Sequence, residues 1–279
     1  MLSLRFRGGN TAPLEVEWLS PDGVAELSAG EIAQRKIFHG NRQEPLGEFF
    51  DVSGDAADED ILIRGDCRRV KWLGARMCRG RMTIEGSVGM HVGSGMVGGE
   101  LIVLGDADDW AGAEMRGGLL RIAGNAGHAL GAAYRGSRVG MRGGVILVHG
   151  SAGNEVGSHM RRGFIAVGQS VGDFAGVGMI AGSIFVFGTP GIRIGAGMKR
   201  GSIVCLGPAS ALSLLPTFRY DCRYQPVFLR LYLLRLAQLG WSHVRDFLDA
   251  WWDRYSGDLV ELGKGEILQR VGASPKDRA

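Results

Sequence analysis

Between positions 81 and 201 the sequence repeats itself with a period of 19 residues, and that period constrains the fold more than any other feature. Counting to the glycine that ends each unit gives RMTIEGSVGMHVGSGMVGG at 81–99 and ELIVLGDADDWAGAEMRGG at 100–118. The same count gives VILVHGSAGNEVGSHMRRG at 145–163, FIAVGQSVGDFAGVGMIAG at 164–182 and SIFVFGTPGIRIGAGMKRG at 183–201. The unit between them, LLRIAGNAGHALGAAYRGSRVGMRGG at 119–144, has 26 residues, which is 19 plus an insertion of seven. A degenerate first turn at 61–80 precedes the series, and a half unit, SIVCLG, closes it at Gly207. Three columns are nearly invariant within the chain. The terminal glycine recurs at 80, 99, 118, 144, 163, 182 and 201, and a methionine stands three residues before each. A second glycine follows the apolar run at 86, 105, 124, 150, 188 and 207, with Gln169 the exception.

Each unit reads as a short strand, a glycine turn, an extended piece, a second glycine turn and a return. No unit of this size can bury its own apolar face. Stacking successive units pairs each backbone with its neighbours and builds one continuous core. Six to seven coils at about 4.8 Å give a rod of about 30 Å. Glycine is expected where the corner needs positive φ and where a side chain would strike the adjacent coil. The fold class predicted is all-β, a right-handed parallel β-helix of about seven 19-residue coils, with a short N-terminal α/β cap and a C-terminal helical tail. The methionines could be a thioether ladder for a soft metal, but a dry stack cannot converge its sulfurs, so they are read as core.

The period divides the chain into a cap at 1–60, the coils at 61–207 and an extension at 208–279. In the cap, LEVEWLSP and the residues around Ile37 read as short strands, and Ser28-Ala-Gly-Glu31 as a capping box. The cap is expected to shield the open edge of the first coil. In the extension, Pro226 to Gly240 reads as a helix opened by proline and stopped by glycine. Val244, Phe247, Leu248, Trp251 and Tyr255 then fit one face of a second helix capped by Ser242. This pair must cover the rod's end or dock on a partner.

Evidence for chemistry is sparse. Gly93-Ser-Gly95-Met-Val-Gly98 matches GxGxxG, but a strand follows it where a dinucleotide site needs a helix, so it reads as a coil corner. The corresponding position in the last three units is Arg162, Ala181 or Arg200, so glycine is not expected to be required at Gly98. The six histidines show no metal-binding spacing, and Gly263-Lys264-Gly265 lacks the Ser or Thr of a P-loop. Four cysteines without CxxC spacing suggest free thiols. A net charge of +3 gives no argument for nucleic acid, and no apolar run approaches the length needed to span a bilayer. MLSLRFRGGN lacks the features of a secretory signal, so a cytoplasmic location is expected. Two features suit binding. The insertion brings Tyr134, Arg135 and Arg138, and insertions in repeat folds become loops, often binding loops. The two positions after each methionine carry Arg79, Arg116, Arg142, Arg161, Arg162, Lys199 and Arg200 and never an acid. They predict a basic stripe along one corner, either solubilising that edge or meeting an anionic partner or carrier. No catalytic or metal-ligating residue is predicted.

The returns Gly93-Ser-Gly95-Met96, Gly176-Val-Gly178-Met179 and Gly195-Ala-Gly197-Met198 resemble the GXGXG β-helix domain, found at the C-terminus of glutamate synthase and in the C-subunit of formylmethanofuran dehydrogenase. GAAYRGSRVGMRGG, the start LEVEWLSPDG and the end YSGDLVELGKGEIL are similar to that C-subunit, and a free-standing chain without an amidotransferase or flavin domain is expected. The resemblance implies a non-catalytic scaffold subunit of a bacterial formyltransferase/hydrolase complex. Such a complex moves a formyl group from tetrahydromethanopterin to a methanofuran-like carrier and releases formate. Amidohydrolase-like, dehydrogenase-like and formyltransferase subunits would be partners and would hold zinc and the chemistry. The carrier can bear a glutamate-rich tail, a candidate ligand for the basic stripe. The alternatives are the C-subunit of a molybdenum or tungsten formylmethanofuran dehydrogenase, a detached glutamate synthase domain, or an acyltransferase of the left-handed β-helix type. The last fits poorly, because its coils have a six-residue period.

Overall fold

The structure, a computed structural model, describes residues 1–271. Its apolar runs become rungs of one sheet, as the period requires. The strands Asp60–Arg64, Arg81–Ile84, Glu100–Val103, Leu119–Ile122, Arg142–Val148, Arg162–Val167, Ser183–Val186 and Arg200–Cys205 pair in parallel, each with the next. Register follows the repeat: Leu101 pairs with Met82 and Leu120, one unit away on either side. A second line of contact runs through single parallel bridges at Cys67, Val88, Ala107, Ala126, Ala152 and Val171. The chain is a parallel β-helix.

Side-chain columns fill the interior. Leu101 and Val103, Leu120 and Ile122, and their equivalents in other rungs point inward and are buried. All seven column methionines, at 77, 96, 115, 141, 160, 179 and 198, are fully buried in that core. The seven terminal glycines all have positive φ. The second glycine column differs, because Gly86, Gly105, Gly124, Gly150, Gly188 and Gly207 do not have positive φ. A Cβ there would strike the previous coil; at Gly105 it would lie 2.6 Å from the Ser87 backbone nitrogen. Crowding, not conformation, selects glycine in that column.

Gly98 is also more constrained than the comparison of units implies. Cβ atoms at Gly98, Gly117 and Gly143 would overlap the carbonyl oxygens of Cys78, Val97 and Arg116. In the last three coils, where Arg162, Ala181 and Arg200 stand at this position, the next glycine turns to +107°, +108° and +101°. At Gly99, Gly118 and Gly144 the values are +78°, +81° and +88°, so the last three coils take a wider path; Arg79, in the degenerate first turn, precedes Gly80 at +79°.

The cap closes one end. Leu2–Phe6 adds in parallel to Asp60–Arg64, and Phe50–Gly54 then pairs antiparallel and ends the sheet. Strands Leu14–Glu15 and Lys36–His39 lie in a separate small sheet, and Ser28 and Glu31 form the reciprocal capping box.

The C-terminal extension departs from the predicted helical tail. The helix Val227–Gln238 forms, but Ser242–Phe247 is a 3₁₀ segment and Trp252–Gly257 is a strand, so no second α-helix exists among the described residues of the extension. Of the adjacent pair, Trp252 and not Trp251 is buried. Lys264–Arg270 then continues the parallel stack, with Gly265 beside Gly201 and Ile267 beside Ile203. Trp252–Gly257 and Arg219–Tyr224 close that end antiparallel. The helix therefore does not cover the rod's end. It lies across the outer face of the sheet, where Leu229, Leu233 and Leu236 pack with Leu147, Phe164, Phe185 and Val204. Each leucine buried this way contributes about 1.5–3 kcal/mol. Arg121 ties the contact down, donating to the Leu239 carbonyl at the helix C-terminus (2.8 Å) and to Glu100 (3.0 Å).

Candidate functional site on the loop-bearing face

Three outward-facing columns, the first two largely half-buried and the third mostly exposed, share the face of the rod that carries the insertion. The first runs through Trp72, His91, Trp110, Ala129, Glu155, Phe174 and Arg193, and every one has φ between +57° and +68°. A left-handed conformation costs a non-glycine residue about 1–2 kcal/mol. Inter-coil bonds hold it here: His91 N–H donates to the Asp109 carbonyl (3.0 Å) and Trp110 N–H to that of His128 (2.8 Å). The second column holds Arg76, Gly95, Glu114, His159, Gly178 and Gly197, again at positive φ. The third follows the methionines through Cys78, Val97, Arg116, Arg142, Arg161, Ile180 and Lys199. From Val97 onward, each backbone N–H in it donates to the methionine carbonyl of the preceding coil at 2.7–2.8 Å.

The first column makes an aromatic stack. Trp72 and His91 lie 4.1 Å apart and nearly parallel, and His91 and Trp110 lie 5.6 Å apart. The insertion folds back over this stack. Its base is closed by the Met141 N–H donating to the Gly131 carbonyl (3.1 Å), and Ala133 and Gly140 donate to the next coil. Tyr134 reaches back two coils, its hydroxyl 2.6 Å from Ser94 Oγ and 3.1 Å from His91 Nδ1. Ser94 Oγ also donates to the Ala113 carbonyl (3.2 Å), so one proton arrangement satisfies every group. In it His91 Nδ1–H donates to Tyr134, Tyr134 to Ser94, and Ser94 to the carbonyl. Burial, with help from nearby Lys71, lowers the His91 pKa to about 4, and burial raises that of Tyr134 to about 12. Both are neutral at pH 7. With the Ser94 hydroxyl buried and its proton on a carbonyl, the group is a latch holding the loop, not a nucleophile with a base.

Two hollows flank the latch. One, of about 420 Å³, is lined by Trp72, Arg76, Ser94, Glu114, Arg116 and Tyr134. The other, of about 260 Å³, lies where Ala129 ends the aromatic stack and is lined by Asp109, Trp110, His128, Arg135 and Glu155. There His128 Nδ1 accepts from the Asn154 N–H (2.9 Å), which places its proton on Nε2.

The basic residues predicted from the sequence separate into groups. Arg116 and Tyr134 share the larger hollow, and Arg135 lines the smaller one. Arg116, Arg142 and Arg161 stand on three consecutive coils, all exposed, and Arg162 and Arg200 begin the rungs beside them. Arg79 is paired with Glu59 (2.6 Å) and Lys199 with Glu261 (3.6 Å), so the two ends of the stripe are neutralised by the flanking segments. Sequence reasoning missed Trp72, His91, Ser94 and Trp110. Three of them, 72, 91 and 110, recur at the 19-residue spacing, a signal that the glycine and methionine columns overshadowed. Among the described residues no group of three or more His, Cys, Asp or Glu side chains converges as a metal site, and no helix is long and apolar enough to cross a membrane.

No protein-family model matches the chain. It is 46% identical over 83 residues to the C-subunit of the molybdenum-containing formylmethanofuran dehydrogenase 1 of Methanosarcina barkeri, a stretch covering 28% of each. It is 44% identical over 87 residues to the C-subunit of the tungsten-containing formylmethanofuran dehydrogenase 2 of Methanothermobacter wolfeii, covering 30% of this chain and 32% of that one. The matched stretch thus spans less than a third of the length of these curated relatives. A chain in the crystal structure of the formyltransferase/hydrolase complex from Methylorubrum extorquens, in complex with methylofuran, matches from end to end. Its TM-score is 0.89 at 35% identity, covering 97% of this chain and 100% of that one.

Proposed function

Because this chain belongs to the family of formylmethanofuran dehydrogenase C-subunits, we propose that it is a non-catalytic scaffold subunit of a formyltransferase/hydrolase complex. In this reading the complex moves a formyl group from tetrahydromethanopterin to a methanofuran-like carrier and releases formate, in the cytoplasm. The zinc chemistry and formyl transfer belong to amidohydrolase-like, dehydrogenase-like and formyltransferase partners. The observation that supports it best is the end-to-end match to a chain of such a complex, which includes the cap and the C-terminal strands as well as the coils. Purification of the tagged chain from its native cells tests the reading. Co-purification of those subunits with formyl-transfer and formate-releasing activity is expected; a chain that purifies alone overturns it.

The same reading gives the loop-bearing face a role. Arg116, Arg142 and Arg161 follow the methionine on three consecutive coils, and Arg162 pairs in register with Arg142. Without an acidic partner among the described residues, they present positive charge along one corner, with Arg135 on the inserted loop and the neutral Tyr134 beside Arg116. An anionic segment of the carrier or of a neighbouring subunit fits that corner. Reversal of Arg161 and Arg162 to Glu is expected to weaken carrier retention or assembly and to reduce its salt sensitivity. Unchanged retention and assembly across a salt series would remove the role.

The archaeal relatives favour a second reading, the C-subunit of a molybdenum or tungsten dehydrogenase. Molybdenum or tungsten in the purified complex, with carbon dioxide-dependent activity, would select it.

A further inference from the structure

The C-terminal helix has two apolar ridges of equal spacing on opposite sides. Leu229, Leu233 and Leu236 form the first, at most 2% exposed against the sheet. Val227, Leu231 and Leu234 repeat the i, i+4, i+7 pattern on the far side and are 78%, 69% and 39% exposed. The fold has no use for the second ridge, since Gln, Glu or Lys would serve the helix equally well there. A single exposed leucine needs no explanation, whereas three in line make a patch. Beside it, a hollow of about 150 Å³ is lined by Val227, Arg230, Phe247, Leu248, Ala250 and Trp252, and the neighbouring Trp251 is half exposed. A small recess next to an apolar ridge suits an anchoring side chain from a partner.

Charge decides what covers it. The helix, VFLRLYLLRLAQ, carries Arg230 and Arg235 and no acid. Arg230 donates to Asp249 (2.6 Å), while Arg235 meets only the uncharged Gln238 (3.3 Å) among the described residues. A second copy docking about a two-fold axis would set this helix against itself and bring the two copies of Arg235 to the same contact with no helical carboxylate to meet them. A different surface, apolar at its centre and acidic at its rim, satisfies both the ridge and Arg235.

We infer that Val227, Leu231 and Leu234 are the docking ridge for another subunit of the complex, one that presents apolar side chains flanked by Asp or Glu. This rests on the reading of the chain as a complex subunit. The test is co-purification with tagged wild-type chain, a Leu231→Asp, Leu234→Asp double variant, and Val227→Asp, with a thermal melt of each. Val227→Asp places a carboxylate in the first helical turn, where the backbone N–H groups favour it, so that variant keeps the helix. Both variants are expected to lose at least tenfold of one or more co-purifying subunits, with Val227→Asp melting within about 2 °C of wild type, since surface changes of this kind alter stability little. Variants that retain every subunit at wild-type stoichiometry overturn the inference. So does a wild-type homodimer that Val227→Asp converts to monomer, because the second copy would then be the occupant. Wild-type chain that brings down no other subunit sinks the underlying reading instead.

Discussion

An alanine at Gly117 would put its Cβ into the carbonyl oxygen of Val97 on the preceding coil. Gly117 does not have positive φ, so no conformational cost enters; the conflict is one of coil spacing. Relief requires the two coils to part, and two ladder bonds straddle the point. Arg116 N–H donates to the Met96 carbonyl at 2.7 Å and Leu119 N–H to the Gly99 carbonyl at 3.0 Å. Losing both, at about 1–1.5 kcal/mol each, costs about 2–3 kcal/mol. The last three coils escape by turning the following glycine beyond +100°, but Gly117 lies between Gly98 and Gly143, which follow the tighter path. Taking the wider turn alone would mismatch it with both neighbours. Gly95→Ala is the matched control. Its φ is +65°, the nearest atom to its Cβ is Arg76 Cγ at 3.4 Å, and the same column accepts Arg76, Glu114 and His159. It should cost only the left-handed penalty, about 1–2 kcal/mol. Urea unfolding followed by circular dichroism reads both as midpoint shifts at constant slope. A Gly117→Ala protein within about 0.5 kcal/mol of wild type, or more stable than Gly95→Ala, would refute spacing as the reason for glycine here.

The methionine column should behave as core. Met115→Ala is expected to lose about 2–5 kcal/mol and Met115→Leu less than about 1.5 kcal/mol in the same titration; equal losses would imply that the sulfur itself matters. His91, whose pKa burial lowers to about 4, stays neutral in the folded chain while the unfolded chain protonates it near 6.5. Its contribution is therefore complete above pH 6.5 and is lost as the pH falls toward 4. The shift corresponds to about 3 kcal/mol, which partial solvent access screens to about 1–2 kcal/mol, and His91→Gln should flatten that window in a pH series of melts. Tyr134→Phe removes the hydroxyl joining His91 to Ser94, and at about 1–2 kcal/mol should speed tryptic cleavage after Arg135 or Arg138 some 5- to 30-fold. Wild-type cleavage rates would show that the latch does not hold the loop.

The coils were legible because stacking makes each inward column answer to the same neighbours, and a 19-residue count exposes that directly. The C-terminal strands were not. Val244, Phe247, Leu248, Trp251 and Tyr255 satisfy a helical period, but tertiary contact overrode it when Trp252 turned into the second core. A weak signal did exist: Lys264-Gly-Glu-Ile-Leu268 repeats the Arg200-Gly-Ser-Ile-Val204 pattern and pairs with it residue for residue. Of the candidate site, the arginine column was readable because it is periodic, but the Glu59 and Glu261 partners that neutralise its ends come from non-repeating segments. The Tyr134 latch depends on a loop reaching back two coils, which no local pattern encodes.

The inserted loop is sealed beneath itself by the Met141–Gly131 backbone bond, and the coil continues as though nothing had been added, with Arg142 taking the rung position due after Met115. The length of the loop is thus uncoupled from the register of the coils, while Tyr134 still ties its content to Ser94 and His91. A longer or shorter loop on the same Met141–Gly131 bond leaves every rung in step. The face it covers can change its outline while the scaffold beneath stays the same.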